Sequence, residues 1–426
     1  MTLKKVAVSV AIILLSVGSF FGGYILRGYE DEDITSLKFI LEHYKKYYLE
    51  ETDDYIGVMA NSILDEYSSY YSKEEYELLN KVAKGSRAGT GIQTIGLTIV
   101  GVLGNSPAEK TGITVGGEIK SIKKPDGEEF IAVTNSKELT EIFSSISENE
   151  NFTVKIDYDG EEREFTLKKE EYQETFVYYS DDSGSYRFND IGDGVKFIKY
   201  SDEPKANFNG DTAYIYYKSF NGTSHDIKGS AEQIEVALRK FKENGKTKLI
   251  FDLRDNGGGY LDIACEIASH FINAKTGSKA LVATSEDKNK QITEYYSKKV
   301  DYKDYGFVKI IFLANENTAS ASEVLMGAVF SYDTEKAVNL VLESSYLKGK
   351  KVYKTYGKGI MQTTFQNITG GDAIRLTTAY IKWPNGVCIH GVGLTKELLN
   401  EKCIEAEEND GDYALISALN IANNEV

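Results

Sequence analysis

The sequence predicts an N-terminal transmembrane helix followed by a multidomain α/β region. Three observations indicate this fold class. Residues 6–26 contain no charged side chain, the hydrophobic periodicity changes from helical to strand-like near residue 87, and buried strands alternate with amphipathic helices after residue 171. With 426 residues, the chain is long enough for two or three domains with a sizeable core.

Residues 1–30 predict a single-pass membrane anchor. Lys4 and Lys5 precede the uncharged run, which at about 1.5 Å per residue spans a bilayer core of about 30 Å. Because the positive flank is N-terminal and acidic residues follow Arg27, the rest of the chain is expected outside the cytoplasm, at the cell membrane. A cleaved signal peptide is the alternative, but the length of the run and the lack of an A-x-A-like cleavage site favour the anchor.

The overall composition is that of a globular protein, with 41% hydrophobic and 27% charged residues. A formal net charge of −16 and the lack of a basic stripe argue against a nucleic-acid partner. Three cysteines are an odd number, so no complete disulfide framework is expected. Cys265 lies on the apolar face of a helical pattern and is interpreted as a core residue. Cys388 and His390 would point the same way if "GVCIHGVG" formed a strand, which leaves a Cys–His pair conceivable.

Residues 31–86 are predicted to be mainly helical. "SKEE" at 72–75 matches a capping box in which Ser72 caps the helix and Glu75 reaches back. This tyrosine-rich region could be a packing surface or the interface of a homodimer, and the sequence does not choose between them. One amphipathic stripe in it consists of Ile34, Leu37, Leu41, Tyr44 and Tyr48.

Residues 87–170 predict a small, partly open β-barrel with one lateral helix. A strand pattern follows "GTGI" at 89–92, "NSKELTEIFSSIS" is amphipathic, and two later strands form a hairpin about "DG". This stretch resembles a PDZ domain, and "GTGI" stands where that family has its carboxylate-binding loop. The resemblance implies a peptide-binding site in which an extended peptide adds to a strand edge. The four residues assigned to it are Gly89, Thr90, Gly91 and Ile92.

Residues 171–426 have an α/β pattern. Buried strands at 212–220 and in "TKLIFDLRDNGGG" flank the amphipathic helix 230–245, and "VKIIFLANENTAS" repeats the strand-then-turn order. In such a βαβ core, ligands bind at the carboxyl ends of the strands.

Two turns stand at such strand ends, and each opens a helix. "DNGGG" at 255–259 leaves backbone N–H groups free to donate, and "TASASE" at 318–323 exposes a serine at the positive end of a helix dipole. A nucleophile beside donors aimed at a developing oxyanion suits acyl transfer. Taken alone, however, a serine-rich helix start is usually only an N-cap.

A serine nucleophile needs a base. None of the four histidines stands in a recognised hydrolase or zinc-peptidase motif, so a lysine is the candidate. Lys358 is flanked by glycines in "YGKGIMQ", which would allow close packing and desolvation of its amine. Gln362, four residues later, could hold the amine in line.

The order "DLRDNGGG", "NENTASASE" and "YGKGIMQ" behind a PDZ-like module resembles the carboxyl-terminal processing (tail-specific) peptidases. This resemblance implies a serine endopeptidase with a Ser–Lys dyad on a ClpP/crotonase-like core. It assigns the nucleophile to Ser320, the base to Lys358 and the base's partner to Gln362. It also assigns the oxyanion hole to the amides of Ala321 and of one glycine among 257–259, for which we select Gly258.

The family resemblance further implies protein substrates with apolar C-terminal tails. No metal cluster, nucleotide loop or cofactor motif is found in the sequence, so no cofactor is expected. The chain departs from the family in that Ser320 and Lys358 are 38 residues apart, roughly a dozen more than is usual, and in a longer segment at 171–211. The alternatives are a membrane-tethered PDZ scaffold with a silent core, and a hydrolase of the Ser–His–Asp or Cys–His type.

Overall fold

The computed structural model describes residues 32–48, 54–190, 194–222, 228–335 and 337–424. The chain divides into two compact units, residues 1–64 and 65–426. The smaller unit contains helices α1 (Glu32–Tyr47) and α2 (Tyr55–Ile63). The predicted anchor at 1–30 lies outside the described residues, and none of the helices that are described has both the length and the apolar character needed to cross a membrane.

The larger unit begins with strand β1 (Ser69–Tyr71) and helix α3 (Lys73–Ala83). The predicted capping box is confirmed at the start of α3. The Ser72 N–H donates to Glu75 Oε2 at 2.8 Å, and the Glu75 N–H donates to Ser72 Oγ at 3.3 Å. The region predicted as mainly helical thus also contains a strand.

Residues 86–173 form a small β domain. Its sheet is antiparallel, in the order β3-β4-β5-β7-β8, with β6 on the edge of β5, and the predicted "DG" hairpin is confirmed between β7 and β8. The chain enters and leaves through a separate two-stranded ribbon of β2 and β9, in which Ser86 lies opposite Gln173. The elements are β2 (Ser86–Gly89), β3 (Ile92–Ile95), β4 (Thr98–Val102), α4 (Pro107–Lys110), β5 (Glu118–Lys123), β6 (Ile131–Ala132), α5 (Ser136–Ser145), β7 (Asn151–Tyr158), β8 (Glu161–Lys168) and β9 (Glu170–Gln173).

The α/β core follows, and it has the strand–helix alternation that the sequence predicts. Its elements are β10 (Val177–Asp181), β11 (Gly184–Asn189), β12 (Lys196–Ser201), β13 (Thr212–Tyr217), α6 (Ser230–Glu243), β14 (Lys248–Asp252), α7 (Leu261–Ala268), β15 (Lys279–Asp287), β16 (Ile292–Lys299), α8 (Tyr302–Tyr305), β17 (Lys309–Ala314), α9 (Ala321–Tyr332), β18 (Val338–Leu342), β19 (Ser345–Leu347), β20 (Lys350–Val352), β21 (Ile360–Gln366), β22 (Ala373–Lys382), α10 (Lys396–Leu399), a 3-10 turn (Asn400–Lys402), β23 (Cys403–Glu405) and α11 (Tyr413–Asn423).

The main sheet of the core has eight strands in the order β12-β11-β10-β13-β14-β17-β18-β23. The five parallel strands of this sheet are β13, β14, β17, β18 and β23. Strands β10, β11 and β12 extend the sheet antiparallel and lie within the long 171–211 segment. One face packs against α6, α7 and α9, and the other against α11. Both faces are therefore covered, which explains the continuous apolar runs of the central strands.

A second sheet of the core joins distant parts of the chain. Strand β22 pairs with β21 along one edge, and with β1 and β15 along the other, while β16 pairs with β15. The extra residues before Lys358 form β18 and then the antiparallel hairpin β19–β20. Helix α9 approaches the second sheet closely at Gly327, where an added Cβ would overlap the Trp383 ring at 1.9 Å.

Polar contacts fix the small β domain to the core. Asn105 is 3% exposed and donates to the Gln173 carbonyl and to Thr175 Oγ1, and its Oδ1 accepts from the Asp190 N–H at 2.8 Å. The Glu109 carboxylate pairs with the guanidinium of Arg187. Because buried polar groups of this kind are costly to separate, this orientation of the small β domain is specifically stabilised.

Candidate active site

Ser320 lies at the start of α9, after the turn that follows β17. Its backbone angles are φ 58° and ψ −117°, a conformation that a non-glycine residue rarely adopts and that costs about 1–3 kcal/mol. Two hydrogen bonds to the 253–256 segment hold the turn in place. The fully buried Thr318 donates to the Leu253 carbonyl at 2.8 Å, and the Ala319 N–H donates to the Asn256 carbonyl at 3.0 Å. Neighbouring contacts thus support a strained turn that presents the serine, as at a nucleophile elbow.

Gly258 lies directly against Ser320. A Cβ at position 258 would be 2.8 Å from the Ala319 carbonyl oxygen, the Ala321 nitrogen and Ser320 Cβ, and the φ of 97° also favours glycine. The Gly258 N–H, however, donates to Asn256 Oδ1 at 2.9 Å. The predicted oxyanion residues Ala321 and Gly258 are therefore neighbours, but in this structure the Gly258 N–H already has an acceptor.

Lys358 and Gln362 meet as the sequence predicts. Lys358 Nζ donates to Gln362 Oε1 at 2.7 Å, and Gln362 Nε2 donates to the Tyr67 carbonyl. The ring of Tyr67 lies under the amine, with 5.7 Å from Nζ to its centroid. Burial lowers the pKa of Lys358, the positive charge of Arg375 lowers it further, and Glu323 opposes both effects. Sequence patterns do not indicate Tyr67, because its contact is made by a backbone carbonyl 295 residues away from Gln362.

Ser320 and Lys358 line one cavity of about 670 Å³, together with the glycine turn 257–259 and helix α3. Both side chains are described, and no hydrogen bond joins Ser320 Oγ to Lys358 Nζ; the amine is bound to Gln362 instead. A proton transfer between them therefore requires a change in the position of one or both side chains. Catalytic hydrogen bonds that are long in a substrate-free enzyme commonly tighten when substrate binds.

Glu323 connects the serine turn with the loop that carries Lys358. Its carboxylate is fully buried, and its Oε2 accepts from the N–H groups of Ser320 and Lys358, both at 2.9 Å. Its Oε1 accepts from the Gly357 N–H at 2.8 Å and from the Thr355 hydroxyl. Burial raises the pKa of Glu323, while these four hydrogen bonds act in the opposite direction. Glu323 ends the "TASASE" segment, but its bridging role is not visible in that segment because it depends on the loop at Lys358, 35 residues later.

The predicted peptide-binding residues lie in the small β domain, where the ribbon passes into β3. Gly91 has a φ of 80° and sits where a Cβ would overlap Ser106, and the Thr90 carbonyl accepts from the Ala108 N–H at 2.9 Å. None of Gly89, Thr90, Gly91 and Ile92 lines the cavity that contains Ser320. The structure thus places the predicted peptide-binding residues outside the cavity that the predicted catalytic residues line.

Among the described residues, histidines and cysteines form no second candidate site. The "GVCIHGVG" segment is a loop rather than the strand considered above, and Cys388 Sγ lies 3.7 Å from the Gly359 carbonyl. His390 packs against the rings of Tyr67 and Tyr380, and no histidine is among the described residues that line the cavity. Cys265 is buried, as predicted, and burial raises its pKa to about 12. Within the described ranges, no group of three or more His, Cys, Asp or Glu side chains could hold a metal ion.

Comparisons with known proteins relate the core of the chain to a protease family. Residues 211–398 match the model of Peptidase family S41. Two curated relatives carry the name "Probable CtpA-like serine protease". The one from Staphylococcus aureus (strain COL) is 26% identical over 409 residues, covering 91% of this chain and 70% of the relative. The one from Staphylococcus saprophyticus subsp. saprophyticus is 27% identical over 370 residues, covering 83% and 62%.

One solved structure shows the same fold. It is described as "Putative S41 protease from Bacteroides fragilis NCTC 9343", and it superposes with a TM-score of 0.53 at 15% identity, covering 88% of this chain and 92% of the other. The photosystem II D1 C-terminal processing protease gives a TM-score of 0.43 at 18% identity, covering 85% of each chain.

Proposed function

Because the chain carries a serine protease domain of peptidase family S41, we propose that it cuts peptide bonds with Ser320 as nucleophile and Lys358 as general base. One observation carries this proposal: a serine held in a strained turn and a lysine with a lowered pKa line the same cavity. A lysine can act as a base near neutral pH only when desolvation favours its uncharged amine, and the pKa shift has the required direction.

The reaction follows acyl-transfer chemistry. Neutral Lys358 Nζ takes the proton of the Ser320 hydroxyl while Oγ attacks the scissile carbonyl carbon, giving a tetrahedral intermediate with a negative oxygen. The ammonium then returns the proton to the leaving amine as the C–N bond breaks. Water, deprotonated by the same amine, hydrolyses the acyl-enzyme and releases Ser320. Gln362 is suited to align the amine, because its own Nε2 is fixed on the Tyr67 carbonyl and its Oε1 must face Lys358.

The oxyanion would be stabilised by the Ala321 N–H, at the positive end of α9, and by an N–H of the 257–259 turn. Gly258 is our choice within that turn because it adjoins both Ser320 and Ala321. Its N–H would have to be shared between Asn256 Oδ1 and the oxyanion.

Matched serine variants test the assignment. The full chain is incubated with unstructured proteins that end in apolar tails, and the fragments are identified by mass spectrometry. Ser320→Ala should abolish cleavage and labelling by a fluorophosphonate, and Lys358→Met should reduce both to background. Ser331→Ala, in the same helix, is the matched control and should retain the wild-type rate. Cleavage at the wild-type rate by Ser320→Ala would remove Ser320 from the mechanism.

We further propose that the small β domain acts as a PDZ module that captures apolar C-terminal tails and gates access to the cavity. Its glycine turn at 89–92, the following strand β3 and the helix α5 have the order that such peptide capture requires. Deletion of residues 87–170 should change which tailed substrates are cut. Unchanged cleavage of every tail tested would exclude this role.

We also propose that the protease is anchored in the cell membrane with its catalytic domain outside the cytoplasm, and that it forms a homodimer through the helical region. The uncharged run at 6–26 supports the anchor, and the exposed apolar side chains of Ile34, Leu37 and Ile40 on α1 support association. Cell fractionation combined with protease shaving tests the location, and light scattering in detergent tests the dimer. Recovery in the soluble cytoplasmic fraction, or a monomer at all concentrations, would contradict the respective part.

A further inference from the structure

Arg375 faces the catalytic cavity from strand β22. It lies opposite Thr364 of β21, and its Nε donates to Thr364 Oγ1 at 3.2 Å. Its guanidinium carbon lies 5.4 Å from the centroid of the Tyr71 ring. The side chain is half-buried, and these contacts hold it in place without neutralising its charge.

Arg375 differs from every other arginine in the described part of the chain. The other five each form an ion pair with a carboxylate, whether they are exposed or buried: Arg87, Arg163, Arg187, Arg239 and Arg254. Arg375 has no carboxylate within 4.0 Å among the described residues. A half-buried guanidinium favours a carboxylate partner, because its planar N–H groups match the two oxygens.

The cavity itself contains no partner for this charge. Lys358 and Arg375 are the basic side chains among the described residues that line it, and none of these lining residues is acidic. This is unusual in a chain with a formal net charge of −16. The cavity is therefore a local positive site on an acidic protein, which attracts anionic ligands.

We propose that Arg375 binds a carboxylate of the substrate, so that the protease prefers peptides with an acidic group near the bond that is cut. Arg375 lies opposite Thr364, two positions beyond Gln362 on β21 and about 7 Å along that strand. Because an extended peptide advances by about 3.3 Å per residue, the acidic group is expected within a few residues of the scissile bond. The preference rests on the proposed Ser320–Lys358 mechanism. The carboxylate belongs either to an aspartate or glutamate side chain or to the free C-terminus of a short tail.

A peptide series distinguishes these sources. Internally quenched peptides with an amidated C-terminus carry Glu, Gln or Lys at each position within four residues of one scissile bond. A second series carries Gln at every position and a free C-terminal carboxylate at varied distances. Full-length wild type, Arg375→Gln and Arg375→Glu are compared, with Arg239→Gln as the matched control because Arg239 lies on an exposed part of α6.

The measured quantity is the ratio of kcat/KM for the acidic peptide to that for the neutral peptide. This ratio cancels any general effect of a variant on Lys358 or on folding. Wild type and Arg239→Gln should favour Glu over Gln by about tenfold at one position, Arg375→Gln should reduce the ratio to about one, and Arg375→Glu should favour Lys instead. If only the free C-terminus gives the preference, the carboxylate is that of the tail.

The inference would be overturned if wild type and Arg375→Gln preferred the carboxylate, of Glu or of the free C-terminus, to the same extent. It would also be overturned if wild type preferred neither carboxylate. Both outcomes leave the proposed function intact provided that Ser320→Ala cuts none of the peptides. Cleavage by Ser320→Ala would instead refute the proposed function, whatever the ratios are. If Arg375→Glu fails to fold, the Arg375→Gln comparison alone decides.

Discussion

Replacing Glu323 with glutamine should separate Ser320 from Lys358 while keeping the size of the buried side chain. The carboxylate accepts four hydrogen bonds, two at each oxygen. A glutamine amide has one oxygen and turns an NH2 group toward the remaining two donors. The Thr355 hydroxyl can reverse and accept from that NH2 group, but a backbone N–H cannot.

The cost follows from counting the donors that lose an acceptor. If the amide nitrogen takes the place of Oε1, the Gly357 N–H is left unpaired. If it takes the place of Oε2, the N–H groups of both Ser320 and Lys358 are left unpaired. Each unsatisfied buried group costs about 1–3 kcal/mol, and the loss of a charged acceptor adds to this. We expect Glu323→Gln to lower the free energy of unfolding by about 2–4 kcal/mol, out of a typical total of about 5–15 kcal/mol.

Urea denaturation of the full chain measures this change, with Glu243→Gln as the matched control. Glu243 pairs with Lys240 on the exposed side of α6, so its variant should lose at most about 0.5 kcal/mol. Fluorophosphonate labelling of Ser320 should slow at least about tenfold in Glu323→Gln, because the serine turn and the lysine loop no longer share an acceptor.

The pH profile separates a positioning role from a general loss of stability. The negative charge of Glu323 raises the pKa of Lys358, so its removal should move the rising limb of kcat/KM to lower pH, even though the rate falls. The bridging role of Glu323 would be refuted by two results together. The unfolding free energy of Glu323→Gln would lie within about 0.5 kcal/mol of the wild-type value, and its kcat/KM would rise over the same pH range as that of the wild type.

Three further predictions follow from contacts described above. Ser320→Gly should be about 1 kcal/mol more stable than Ser320→Ala in urea, because glycine tolerates a φ of 58°, and equal stability would contradict the strain. For the wild type, kcat/KM should rise with pH as Lys358 loses its proton, with a pKa below 10.5. Arg375→Gln removes a positive charge that lowers this pKa, so the rise in kcat/KM should move to higher pH. A move to lower pH would show that Arg375 does not lower the pKa of Lys358. Asn105→Ala should weaken the contact between the small β domain and the core by about 1–3 kcal/mol. Hydrogen exchange of the Asp190 amide, which donates to Asn105, should then become faster. An unchanged exchange rate would show that this contact does not stabilise the domain arrangement.

Local sequence patterns predict the βαβ core and the two turns that meet at the cavity, whereas the resemblance to the processing peptidases assigns the catalytic roles to Ser320 and Lys358. The glycine turn and the serine turn each follow a buried strand of a parallel sheet, so their meeting at one sheet edge follows from topology. Lys358 was found through its two flanking glycines, and Gly357 and Gly359 do pack against the 389–393 loop, as close approach requires.

Long-range contacts account for what the sequence could not predict. Strand β1 has three residues, too few for a periodic signal, and it is defined by pairing with β22 some 300 residues later. The "GVCIHGVG" segment alternates like a strand but is a loop, because Gly386, Gly391 and Gly393 all have positive φ. The bond from Asn256 to the Gly258 N–H likewise depends on side-chain orientation rather than on residue type.

The paired strands β2 and β9 make the small β domain an insert with adjacent ends. Neighbouring strands lie about 4.8 Å apart, so a short turn could rejoin Ser86 and Gln173 at a small entropic cost. Any folded module whose own termini are adjacent could be grafted at this point without stretching the chain on either side. Under the proposed role of the small β domain in substrate capture, exchanging this module should redirect the same cutting machinery to new targets.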